Sequence, residues 1–170
     1  MTESNQPLPD RVRESVVFLL HELVDGPPGS EAYVLNPGDR GLLASIDQLS
    51  AEAASARPQD RSSVAAHVDH LRYGFELMNR WMRGENPWSD ADHSTSWTRQ
   101  KVNDEAWTTL RAALRKEAHD WIGVVGTERP LDRVALAGVL GSVVHLAYHL
   151  GAIRQVAQAA AGPRDPGRST

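Results

Sequence analysis

For twenty consecutive residues, Val134 to Ile153, the chain carries no Asp, Glu, Lys or Arg, although those four types make up 24% of it. A run of that length must be covered by protein or by lipid, since about 20 apolar residues suffice to cross a bilayer. Ser142, His145, His149 and three glycines interrupt the run, and no second stretch of the kind accompanies it. Ionisable side chains are rare inside membranes. We therefore expect the core helix of a folded domain and no membrane association.

Four other segments repeat apolar residues at helical spacing and none alternates as a strand, so the fold class is all-α. The first runs from Asp10 to Val24, with Val12, Val16, Leu19, Leu20 and Leu23 on one face, and stops at Pro27, Pro28 and Gly29. Asp39 is placed to cap a second, reaching about Ala56, whose stripe is Leu42, Leu43, Ile46 and Leu49. The third opens near Ser62 and continues to about Arg83, carrying Val64, Val68, Leu71, Phe75, Met78 and Met82. A polar loop, Glu85 to Val102, holds Trp88 and Trp97. Asn103 is a good N-cap for the fourth, where Asp104 and Glu105 favour the positive end of the helix dipole. Trp107, Leu110, Leu114, Trp121 and Ile122 form its core face, ending near Gly126. Pro130 precedes or opens the last helix, which reaches about Ala160.

Long helices with short connections predict an up-and-down four-helix bundle, with an additional short N-terminal helix accessory to it. A chain of 170 residues suits one domain, taken as 1–161, followed by a disordered tail over 162–170. Its 22 acidic and 18 basic residues give a net charge of −4, and no Lys/Arg run occurs, which argues against nucleic acid as a partner. Sixteen of the basic residues are Arg, which points to a GC-rich bacterial source. Cysteine is absent, excluding disulfides, thiolate metal sites and a cysteine nucleophile. The polar start MTESNQPLPDRVRES lacks the basic and apolar parts of a secretory signal, so a cytoplasmic location is expected.

Four of the seven histidines fall into helical pairs, His67 with His70 and His145 with His149. Residues four apart lie one turn apart on one face, so His145 and His149 can converge on one ion. A third imidazole from another helix would complete a facial set with open positions, as in catalytic metal sites. Gly138, Gly141 and Ala152 share the face of His145, and Ala66 and Gly74 flank His70, with Leu77 and Trp81 further along. Small side chains there predict a cavity wall. Leu146 stands where a zincin would carry its general-base Glu. Periodicity slightly favours His67 over His70 as the buried member of its pair, and leaves open which is the third ligand. His21, His93 and His119 read as surface or helix-end residues, and Asp69 and Glu76 as exposed carboxylates available as bases. Trp88 and Trp97 either flank a pocket mouth or pack in the ordinary way.

Two motifs resemble the DinB/YfiT-like metalloproteins: S-V-A-A-H-V-D-H-L from Ser63 to Leu71, and H-L-A-Y-H-L-G-A-I-R from His145 to Arg154. The second is similar to that family's H-x-x-x-H-x-G-Q-I signature, with Ala152 in place of Gln. The resemblance covers roughly Gly41 to Ala160. It implies a four-helix bundle, frequently a homodimer, in which three histidines hold a divalent ion, often zinc or nickel. Counting six from Val64 assigns the first ligand to His70, with His145 and His149 as the others. Family members include bacillithiol S-transferases and mycothiol-dependent maleylpyruvate isomerase, so the resemblance implies a small-molecule thiol and an electrophilic substrate as partners. A hydrolase using metal-activated water, and a non-catalytic dimeric binding or stress-response module, are the competing expectations.

Overall fold

The computed structural model describes residues 6–7 and 9–161; the expected tail over 162–170 lies outside the described residues. Among the described residues the regular structure is helical, apart from a two-residue antiparallel pairing of β1 (Gln6–Pro7) with β2 (Pro130–Leu131) that the sequence pattern does not predict. The helices are α1 (Asp10–Asp25), α2 (Leu42–Asp47), α3 (Ala51–Ser55), α4 (Val64–Met82), α5 (Asp104–Gly126) and α6 (Arg133–Ala161). Helix α4 packs against α5 and α6, and α1 packs against the same two. Their shared core is filled by Leu20 and Leu23 of α1, Val68 and Leu71 of α4, Leu114 and Trp121 of α5, and Leu146, Leu150 and Ile153 of α6, each at most 2% exposed. Burying one such side chain contributes roughly 2 kcal/mol.

Two of the long helices open on side-chain caps, that of α5 being the expected one. Ser63 Oγ accepts the Ala66 N–H at 3.2 Å to open α4, and Asn103 Oδ1 accepts the Ala106 N–H at 2.8 Å to open α5. Helix α1 keeps its expected bounds, but Val12 is 41% exposed, while Glu22 is fully buried. The Glu22 carboxylate accepts the backbone N–H groups of Tyr33, Val34 and Leu35 at 2.6–3.1 Å, which fixes the loop beyond α1. A buried carboxylate survives only when so satisfied.

The second expected helix is instead two. Asp39 does not cap it; its carboxylate turns back to accept from the Asn36 backbone and side-chain amides at 3.2 and 3.3 Å. The helix starts after Gly41, where any Cβ would stand 2.3 Å from the Gly26 nitrogen, so the crossing of the α1 terminus demands glycine. It breaks after Asp47, and Ser50 restarts it by accepting the Ala53 N–H at 3.1 Å. The break frees the Leu49 carbonyl to accept Trp107 Nε1–H at 2.8 Å.

Helix α6 is a core helix on one side only. Val139, Leu146, Leu150, Ile153 and Val156 are buried, whereas Val134, Leu140, Val144 and Tyr148 are 46–70% exposed. It is long and apolar enough to cross a membrane, with 28% of its most apolar window buried, and no second such helix occurs among the described residues.

Candidate metal centre

Helices α4 and α6 carry the histidine pairs, and a loop from the α4–α5 connection folds over them. Three imidazole nitrogens meet between these helices. His70 Nε2 lies 3.1 Å from His145 Nε2, which lies 2.9 Å from His149 Nε2. Among the described residues these three histidines form a group whose ligand atoms all lie within 4.8 Å of one another, and no carboxylate joins it. His149 is buried, His70 half-buried and His145 exposed, so the cluster opens to solvent past α6.

The hydrogen-bond partners decide which nitrogens face inward. Ser96 Oγ has a single proton, donated to the His93 carbonyl at 2.8 Å. It therefore accepts from Nδ1–H of His70 at 3.0 Å, and the neutral His70 ring turns a bare Nε2 lone pair to the cluster. His149 Nδ1 lies 3.0 Å from His67 Nδ1. With the proton on His149, its Nε2 too presents a lone pair, and His67 accepts. Ligating histidines typically fix their tautomer through just such a bond at the second nitrogen. His145 Nε2 thus stands about 3 Å from each of the other two, and nitrogens about 2.1 Å from a shared ion and about 3 Å apart subtend roughly 90° at it. The residues fit a divalent cation.

The electrostatics agree with neutral rings. Burial, followed by the neighbouring His145, His93 and His67 imidazoles, lowers the His70 pKa to about 4. Burial, then His145, His70 and His67, lowers that of His149 to about 3. Burial also lowers His67, and burial with His93 lowers His145. Neutral imidazole is the form that binds metal.

His67 is the more buried of its pair, as its periodicity predicts, yet it backs His149 rather than joining the triad. Trp97 stacks on His70 with ring centroids 4.3 Å apart and meets His67 edge-on at 5.2 Å, so it is a wall of the centre. Trp88, 45% exposed, instead borders a cavity of about 290 Å³ beside His145. Gly74, Leu77, Gly138 and Gly141 border that cavity as the small-residue pattern predicts; Ala66 and Ala152 do not. No family model, curated protein or solved structure matches the chain. The functional reading therefore rests on the site.

Three sequence expectations change here. Asp69 is not an exposed base: it is 5% exposed and gives one oxygen to Arg72 and the other to Arg99, each at 2.8 Å. Glu76 is bound to Arg72 at 2.6 Å. His93 is exposed, but it borders the cavity beside His145 and meets Tyr73 edge-on at 5.9 Å. Nothing periodic marks His93, Ser96 or Trp97, because the segment holding them is an irregular loop with one 3₁₀ turn at Thr95–Trp97.

Proposed function

We propose that this chain is a divalent-metal-dependent enzyme of the DinB/YfiT-like kind, an up-and-down four-helix bundle of α1, α4, α5 and α6 in which the accessory short helices are α2 and α3 rather than the N-terminal helix. His70, His145 and His149 hold the ion, zinc or nickel as the resemblance implies, both of which accept imidazole ligands. The carrying observation is the approach of His70 Nε2 and His149 Nε2 to His145 Nε2, at 3.1 and 2.9 Å, with no carboxylate joining the group among the described residues and one ring open to solvent. A cation there supplies charge that lowers the pKa of a thiol or water reaching its open side.

The reaction is transfer or isomerisation with a low-molecular-weight thiol of the mycothiol or bacillithiol type and an electrophilic substrate. The chain has no cysteine to compete for the ion. Ser96 and His67 hold the tautomers of His70 and His149, and Trp97 excludes water from the inner side of both rings. The bacterial cytoplasm, where such thiols occur, is the location that fits. A homodimer has a suitable surface in Val144 and Tyr148, apolar and about 70% exposed on α6.

Elemental analysis of untagged protein, followed by a conjugation screen with each thiol, tests this reading. Zinc or nickel near one equivalent and thiol-dependent turnover are expected; a metal-free, inactive protein that gains neither on zinc addition overturns it. The second reading is a hydrolase, favoured by His93, an imidazole at the cavity wall that can take a proton from water. Turnover that needs no thiol would select it.

A further inference from the structure

The cavity beside the imidazoles determines what the site admits. Helix α4 gives it Leu71, Phe75 and Met78, helix α6 gives it Gly138 and Gly141, and Trp88 stands at its edge, packed against Trp81 at 5.8 Å between centroids. Among the described residues no Asp, Glu, Lys or Arg lines it. Its polar side chains are Ser142, His93 and His145. Ser142 is already committed, accepting Trp121 Nε1–H at 2.9 Å and donating to the Val139 carbonyl at 2.7 Å. Only the two imidazoles remain to meet a polar ligand group.

The glycines show that this space is built rather than left over from loose packing. A Cβ on Gly138 would stand 3.0 Å from Trp81 Cζ3, so that glycine lets the indole approach α6. A Cβ on Gly74 or Gly141 would meet nothing within 4 Å, so those two leave open volume. An apolar cavity of roughly 150 Å³ accommodates benzene. At about 290 Å³, this one suits a molecule of one or two rings.

We propose that the electrophile taken here is compact, uncharged and largely hydrocarbon, its apolar body in the slot between α4 and α6 and its reactive end at His145. A dicarboxylate such as maleylpyruvate finds no cationic side chain in the slot, which separates this chain from the isomerase of the family it resembles. The orientation of the ligand rests on the metal-site reading; the slot does not.

The test uses the full chain, with and without zinc, and the neutral, two-ring fluorescent probe 1-naphthylamine. Saturable binding at one site is expected, weakened at least 10-fold by Gly74→Phe. Glycine is a poor helix former, so the replacement should favour α4; circular dichroism checks the fold, and Gly141→Phe repeats the test from the facing helix. Excess naphthalene should displace the probe and maleate should not. Undiminished binding in both folded variants, loss of binding only on Val144→Asp at the outer face of α6, or displacement by maleate as effective as by naphthalene would each overturn the proposal. Failure of the metal reading shows separately, as zinc binding that His149→Ala leaves unchanged while the probe result stands.

Discussion

Two histidine groups in this molecule invite comparison. At the surface, Asp25 gives one carboxylate oxygen to His21 and the other to His119, each at 2.8 Å, and all three side chains are 38–50% exposed. Between α4 and α6, three imidazoles meet with no carboxylate at all. In the first group each imidazole has a carboxylate oxygen of Asp25 as its partner. In the second, lone pairs face one another, and the outer nitrogens of His70 and His149 are bound in ways that keep them so. Similar residues thus give a carboxylate-bridged group at the surface in one place and a cluster of imidazole nitrogens in the other. The lesson is that the partner of the second nitrogen, more than the number of histidines, marks a ligand.

The sharpest way to break the contrast is to remove one ring from each group. His70→Ala or His149→Ala should lower zinc affinity by more than about 100-fold, since even the partners of ligands are worth 10–100-fold. His119→Ala should leave it unchanged. Competition against a chromophoric chelator measures both, with circular dichroism confirming helicity. Equal losses in the two groups would erase the distinction.

The support offered by His67 is the next largest effect. His67→Phe keeps a flat ring in place but removes the acceptor for His149, so zinc affinity should fall about 10-fold. Isothermal titration reads it. A loss as large as that of His149→Ala would instead make His67 a ligand.

Acid should act on the two groups differently. An unfolded chain takes up protons near the ordinary histidine value of 6.5, whereas the folded cluster resists until about 4 at His70 and about 3 at His149. The unfolded state therefore binds more protons in that window, and stability of the metal-free protein falls as pH drops through it. Above pH 6.5 the cluster contributes no slope. Thermal melts across that range should show the decline, and His149→Ala should flatten it. Zinc should raise the melting temperature at neutral pH and lose its effect in acid, because protons compete for the ligands.

How much of this could be read from the sequence follows from where the signals live. The caps at Ser63 and Asn103 and the stripes of α4 and α5 obey helical periodicity, so those elements stand where the pattern puts them. The pairing of His145 with His149 is the same kind of information. Two things escape such a reading. One is a loop that acts across space, which is why Ser96 carries no signal, His93 reads only as a surface residue and Trp97 is left between a pocket mouth and ordinary packing. The other is a steric contact between distant segments: Asp39 has the chemistry of a cap, but the approach of Gly41 to Gly26 moves the helix start beyond it. The His67–His70 ambiguity has the same origin, because a wheel shows which ring is buried and not which nitrogen faces inward.

The smallest effect expected belongs to the surface group itself. Asp25→Asn removes the charge that His21 and His119 share, but exposed pairs of this kind contribute at most about 1 kcal/mol. The melting temperature should shift by only a few degrees, consistent with a chain of this size, and the shift should shrink in high salt because the pair is screened. Zinc affinity should not move. A change in zinc affinity on Asp25→Asn would mean that the surface carboxylate and the buried triad communicate through α1 and α6, and the two groups could no longer be treated as independent.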